Sequence, residues 1–396
     1  MDQNAAEIAN FKVLRMSKSW IIPRRLQTLC RSAIWGQQLQ DAADLDEHYI
    51  DAAAEWLLEA QRAGGGGGFA HSYHLLHGWQ PAYPETTGYI IPTLHRLRRR
   101  NGNPALQTSI VAAVSWLKAI QNSDGSFSDL QGLPQVFDTG QILLGLNYLA
   151  ECAPGLADEE MLARAARWLR SVQESDGSFV KHAYNNVAHS YYVRVGAALT
   201  AAGRLLSDNE IRRAGQANLS WTLTQQQANG FFRNLSFDRS PPFLHTMVYA
   251  IEGLLDGHLE TGDASLLAAA IRFAEQLLAV SQNRDEVLRS QYNDEFMVAN
   301  GEKCLVGLAQ WAGVCFRLAR LAGEGNYRNE ATRTVAFLKA RQLRTSDRNL
   351  RGGFWGSDPL WGRYMRFSIP NWGVKFFIDA MLEKTGFSSD RRHASS

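Results

Sequence analysis

At 396 residues, 45% hydrophobic and 20% charged, the chain has ordinary globular composition and enough length for a large core. A formal net charge of +2 argues against a nucleic-acid polyanion as partner, and the basic run Arg96 to Arg100 reads as a solvated helix end. Cys30, Cys152, Cys304 and Cys315 form no CxxC pair and have no His at ligand spacing, so the expectation is reduced core thiols and no metal.

Residues 1–42 read as an N-terminal extension, with Trp20-Ile21-Ile22-Pro23 as its anchor. No signal-peptide core opens the chain and no apolar run suggests a membrane span, so the expected compartment is the cytoplasm. From 43 to 385 one two-part phrase recurs six times, at a period of roughly 50–60 residues, near the upper edge of the repeat range. The first part is a helical run reaching a Gln or a Gly-rich turn. It reads Trp56 to Gln61, Trp116 to Gln121, Trp168 to Gln173, Trp221 to Gln225, Phe273 to Leu278 and Phe337 to Gln342. Turns follow, among them Asp124-Gly125-Ser126-Phe127, Asp176-Gly177-Ser178-Phe179 and Asn229-Gly230-Phe231-Phe232. Gly there takes positive φ without steric cost, and the following Phe is expected to plug the ring.

The second part is a polar cluster opening an apolar helix. The clusters begin at Glu85, Asp138, His189, His245, Asn300 and Pro370. Each unit is thus a helix, a turn and a second helix. Six such hairpins predict an all-α (α/α)6 toroid, with the six inner helices starting around one pocket. Helix N-termini carry unpaired N–H groups and partial positive charge, which favours an anionic ligand. Residues 386–396 read as a disordered tail.

The phrases WLKAIQNSDGSF (Trp116 to Phe127) and WLRSVQESDGSF (Trp168 to Phe179) resemble the repeats of squalene cyclases and protein prenyltransferase β subunits. That resemblance implies the toroid scaffold. It does not extend to the chemistry: no DxDD proton-donor motif occurs, and no Asp, Cys and His arrangement for zinc is visible. The polar clusters are similar, by residue type, to those of uronate-acting toroid enzymes, namely polysaccharide lyases and the helical domain of glucuronyl C5-epimerases. Asn186, His189, Tyr192 and Arg194 supply Asn, His, Tyr and Arg, and Phe137-Asp138-Thr139-Gly140-Gln141 resembles an epimerase phrase.

What the resemblance implies is proton abstraction beside a carboxylate. Such an enzyme must neutralise the carboxylate, remove the C5 proton with a Tyr or His, and either expel the C4 group or reprotonate the other face. Arg194 is a candidate cation, Tyr192 a base and His189 a partner; His189 and Tyr192, three apart, would share a helix face. Arg194 lies partly off that face and reads instead as a structural salt-bridge partner of a neighbouring helix. His245, Tyr249 and Glu252 form a second stripe at helical spacing. Glu85 and Asp138 are candidates for substrate contact or for capping. Lys303 and Lys375 open the last two inner helices, where they would bind an anion or reach to solvent. Tyr89, Gln141 and Asn186 complete the polar candidates. His71, Tyr73, Trp79, Tyr83, Trp355, Trp361, Tyr364 and Trp372 offer flat rings on which a sugar could stack.

The expected function is an enzyme acting on an acidic sugar or polysaccharide in bacterial polysaccharide metabolism, by C5-epimerisation or elimination, without metal or cofactor. The expected partner is a saccharide. Two alternatives stand beside it: a terpenoid cyclase-like enzyme with a rearranged proton donor, and a non-catalytic glycan-binding protein.

Overall fold

The structure, a computed structural model, describes residues 46–238, 240–323 and 325–386. The expected N-terminal extension 1–42, Cys30 and all of the tail after Gly386 lie outside the described residues. Twelve α-helices occur among the described residues, in six hairpins. They are α1 (Asp46–Ala63) with α2 (Pro84–Asn101), α3 (Pro104–Ile120) with α4 (Val136–Cys152), and α5 (Glu159–Ser171) with α6 (Val193–Leu205). Then come α7 (Asn209–Thr224) with α8 (Leu244–Thr261), α9 (Ala264–Arg284) with α10 (Leu305–Leu321), and α11 (Gly325–Lys339) with α12 (Asn371–Lys384). The even-numbered helices touch in succession and α12 returns to α2, so they close an inner ring inside the odd-numbered ones.

Sequence chemistry separates the two ends of this double ring. Odd helices α3, α5, α7 and α9 start after short links and are capped by Asn103, Asp158, Asp208 and Asp263, whose side chains accept from backbone N–H groups. Even helices start after long loops, and α2, α4, α6, α8 and α12 have no side-chain cap. The long loops therefore gather on one face, over the inner-helix N-termini. They carry short strands. β1 (Ser72–His74) lies between β2 (Gly78–Trp79) and β5 (Ser368–Pro370), with Tyr73 opposite Trp79 and Ile369. β3 (Lys303–Cys304) pairs with β4 (Ser357–Asp358).

The recurring Gln is a clasp between neighbouring hairpins. Gln61 Nε2 donates to Gly67 O in its own turn (2.7 Å) and to Ser109 O on α3 (2.9 Å). Gln121 reaches Gly125 O and Met161 O, and Gln173 reaches Gly177 O and Ala214 O. In the fourth unit the clasp is Gln226, bonded to Gly230 O and Ala269 O; Gln225, expected there, bonds only its neighbour Thr224. Gln342 closes the circle through Tyr49 O on α1 (2.9 Å) and Gly352 O (3.2 Å). In the fifth unit no Gln makes this clasp, and Ser281 instead donates to Glu330 of α11 (2.8 Å).

The turn phenylalanines Phe69, Phe127, Phe179, Phe232 and Phe354 are buried between the rings. Inner helices approach very closely: a Cβ on Gly145 would lie 2.1 Å from Gly88 O, so α2 and α4 meet backbone to backbone. α9 is long and apolar enough, by length and composition, to cross a membrane, which the sequence reading had not expected of any segment. In this fold it is an outer helix packed on α7 and α8.

Candidate active site

Two acids open the first two inner helices. Pro84 starts α2 and Glu85 follows it; Asp138 lies in the first turn of α4. Neither is the N-cap residue itself, but both stand in the first turn, where a carboxyl favours the positive end of the helix. Tyr83 joins them. Its hydroxyl donates to Asp138 Oδ2 at 2.9 Å and also interacts with the Glu85 carboxyl. One phenol oxygen in hydrogen-bonding range of both keeps the carboxyl groups within about 6 Å of each other. Burial pushes Asp138 up to about 7, against the lowering effect of the Tyr83 hydrogen bond. Burial, then the Asp138 charge, holds Glu85 well above the usual carboxylate range. Like charges at this separation do not both ionise, so the pair holds at least one proton near neutrality.

Aromatic rings wall the space beside this pair. Phe137 stacks on Tyr192 and meets Tyr249 edge-on, each at 5.3 Å. Tyr89 is bonded to Tyr249 and stacks on Phe376. Trp372 Nε1 donates to the Tyr364 hydroxyl at 2.9 Å. His71 lies between Tyr83 and Trp372, and burial depresses it to about 4, so it is neutral.

Deeper along the inner helices the walls become ionic. Arg194 donates through Nε to Gln141 Oε1 (2.9 Å), pairs with Glu252 and lies 4.8 Å from the Tyr249 ring centre. Gln310 Nε2 donates to Glu252 Oε2 (3.2 Å), and His245 Nδ1 lies 2.5 Å from Gln310 Oε1. Lys375 pairs with Asp379 at 2.6 Å; Arg96 bridges Asp379 and Glu383; Arg317 meets Asp256 at 2.7 Å. Each of these cations already has a carboxylate partner. Among the described residues no group of three or more His, Cys, Asp or Glu is placed to hold a metal ion.

The sequence model of the squalene-hopene cyclase C-terminal domain matches residues 79–252. Solved structures match over most of the chain. An unsaturated glucuronyl hydrolase specific for heparin superposes with a TM-score of 0.69 at 14% identity, over 87% of this chain and 98% of its own. A cellobiose 2-epimerase from Bacillus thermoamylovorans gives 0.61 at 12% identity, over 85% and 99%. A D-mannose isomerase gives 0.63 at 10% identity, over 88% and 99%. The chain is an α/α toroid. Likeness at such low identity speaks to that fold alone. No curated protein sequence matches significantly.

The toroid sorts the expected site residues into groups. Glu85, Asp138, Tyr89, Gln141, Tyr249, Glu252, His245, Trp372, Lys375 and His71 all belong to the lumen just described. Arg194 joins them as the salt-bridge partner of a neighbouring helix, the second of its two expected readings: Gln141 and Glu252, not His189 and Tyr192, take its guanidinium. His189 and Tyr192 are not on one helix face either: a 3-10 turn covers Ser190–Tyr192 and α6 begins at Val193. Their rings still lie 5.3 Å apart. His189 Nε2 donates to Tyr184 O (2.9 Å), and the Tyr192 oxygen accepts from Tyr184 N (2.9 Å). Burial raises the Tyr192 phenol, which makes it a poor base.

Other candidates face elsewhere. Asn186 is exposed, with φ of 52°, in the loop before α6. Lys303 lies over the Phe337 ring of the outer helix α11. Trp79 and Tyr73 pack together, and Trp79 packs on Trp56 of α1 and bonds Asn349. Trp355 is buried, and Trp361 is 60% exposed on the loop face. Two lumen residues carry roles the sequence did not suggest. Tyr83 was expected only as a flat ring at the rim, not as the bridge between the two acids. Gln310 is a buried amide inside the apolar run Leu305 to Leu321, and that mismatch was its one sequence signal.

Proposed function

We propose that this toroid is a carbohydrate-active enzyme that moves a proton on an acidic sugar, with Glu85 and Asp138 as its acid pair. The observation that carries the reading is the coupled carboxyl pair bridged by Tyr83. A protonated carboxyl can donate to a uronate carboxylate and stabilise negative charge developing beside it, as Arg or Lys would. That fits a lumen whose cations are already paired. The same proton can then pass to a departing C4 oxygen, giving elimination, or return to C5 from the other face, giving epimerisation. Support for a saccharide comes from the names of the superposing structures, which act on glucuronyl, cellobiose and mannose substrates. The polar and ionic inner wall suits a hydroxylated ligand.

A second reading is supported by the match to the squalene-hopene cyclase domain and by the rings of Phe137, Tyr192 and Tyr249. A protonated carboxyl facing an aromatic wall could also start cyclisation of a polyene. A substrate panel separates the two. Uronate-containing oligosaccharides are assayed for ultraviolet absorbance of a new conjugated C=C bond and for solvent deuterium at C5; squalene is assayed for cyclised product. Glu85→Gln and Asp138→Asn should each lower turnover of the true substrate by roughly 10²–10⁴, the usual worth of general acid–base catalysis, with helix content unchanged. Turnover of squalene but of no saccharide would establish the second reading. Near wild-type turnover in both variants would remove the acid pair from the mechanism.

A further inference from the structure

Two buried histidines, His189 just before α6 and His245 in the lumen, have their ring protons directed differently by their neighbours. At His189 the partner of Nε2 is a carbonyl oxygen, so Nε2 carries the proton. At His245 the arrangement is reversed. Its Nδ1 meets the side-chain amide of Gln310 at 2.5 Å. Which end of that amide it meets is decided one step further on. Gln310 also reaches Glu252; burial raises that carboxyl, but the Arg194 guanidinium paired with it and the nearby Lys375 hold it as the anion, which only accepts. Gln310 must therefore give its NH₂ to Glu252 and turn its oxygen to His245. That oxygen only accepts, so His245 Nδ1 must donate, and Nε2 is left with the lone pair.

We infer that Gln310 is a positioning residue, which, anchored by Glu252 and Arg194, fixes His245 as the Nδ1–H tautomer and makes its Nε2 the hydrogen-bond and proton acceptor for a ligand in the lumen. No described residue hydrogen bonds to that nitrogen, and the ring makes tilted contacts with Tyr249 (4.3 Å between ring centres) and Tyr364 (5.3 Å). Burial depresses His245 to about 3, so the imidazole is neutral and the lone pair is available at neutral pH. The chain of bonds crosses four inner helices: α4 through Gln141, α6 through Arg194, α8 through Glu252 and His245, and α10 through Gln310. The inference rests on the reading of the lumen as a proton-transferring saccharide site. There it supplies the base that complements the acid pair: the ring takes the C5 proton on Nε2 and becomes imidazolium as the C–H bond breaks, and a carboxyl gives its proton either to the departing C4 oxygen or to the opposite face of C5.

The tautomer is measured directly by ¹⁵N NMR of histidine-labelled full-length protein, with the His245 signal assigned by its loss in His245→Asn. The expected wild-type spectrum has a protonated, pyrrole-like Nδ1 and a pyridine-like Nε2 at this residue. Gln310→Leu should move the proton to Nε2. Gln310→Glu, which keeps an acceptor oxygen, should retain the Nδ1 proton, and it serves as the folded control should the Leu variant be unstable. On an accepted substrate, Gln310→Leu should lower kcat by about 10²-fold or more with little change in KM. An Nε2–H signal in the wild type, or an unchanged tautomer in Gln310→Leu, overturns the inference. If the tautomer behaves as expected while Glu85→Gln and Asp138→Asn keep full saccharide turnover, the functional reading fails and the positioning role of Gln310 stands.

Discussion

The acid pair makes a claim about stability as well as chemistry. Asp138 is raised from an ordinary 3.8 to about 7 by burial, and Glu85 is raised as well. A carboxyl whose folded value lies above its unfolded value favours the native state only while it keeps its proton. Its stabilising effect is therefore full below about pH 4 and is lost as pH rises towards 7, on the order of a few kcal/mol in total. Asp138→Asn, an amide of the same shape, should flatten that slope and leave the protein more stable than wild type at pH 8. Urea unfolding across this range reads it directly, and parallel pH curves for the two proteins would contradict the protonated pair. Both acids could be seen in the sequence as openings of apolar helices. Their joining by Tyr83 could not, since that depends on how two loops fold over neighbouring helices. Arg194 illustrates the same limit: spacing placed it near Tyr192, but its partner sits 58 residues away on α8. Charge pairing between inner helices is set by ring order, which local periodicity does not carry.

At the level of elements, the hairpin is the unit, and one glutamine side chain joins each to the next at five of the six positions described. Gln61→Ala would leave Gly67 O and Ser109 O without their donor in a buried setting. The expected loss is about 1–3 kcal/mol, the range for orphaned buried polar groups. Gln225→Ala, three hairpins on, should change stability by no more than about 0.5 kcal/mol, because that side chain bonds only Thr224. Denaturant midpoints for the two variants test whether the clasp, rather than glutamine content, ties the hairpins. Here the sequence was most legible. Helix length, turn chemistry and the recurring Gln all share one period, so each supports the others. Where the fourth unit slipped by one residue, two adjacent glutamines, Gln225 and Gln226, offered the same chemistry and only the turn geometry chose between them.

For the whole molecule, the decisive contacts are those between the first hairpin and the last. Gln342 clasps Tyr49 across 293 residues, and Asp46 receives Lys339 (3.0 Å) and Lys384 (2.6 Å). That the repeat returns on itself was read from six units and apolar inner helices; the pairs that seal it were not, because nothing local marks them. A ring joined this way stands in a particular relation to time. Each hairpin can form from near neighbours, but the seam must bring together parts of the chain almost three hundred residues apart, and the entropy of that closure is lost before any contact offsets it. The seam is thus expected to form after the rate-limiting barrier and to break before it on the way out. Gln342→Ala should speed unfolding while leaving the refolding rate nearly unchanged, whereas Gln121→Ala, inside the arc, should also slow refolding. Stopped-flow chevrons would show the difference as a shift confined to one limb. The lifetime of the native protein is then governed less by its large core than by one join, where the ring opens like a clasped bracelet.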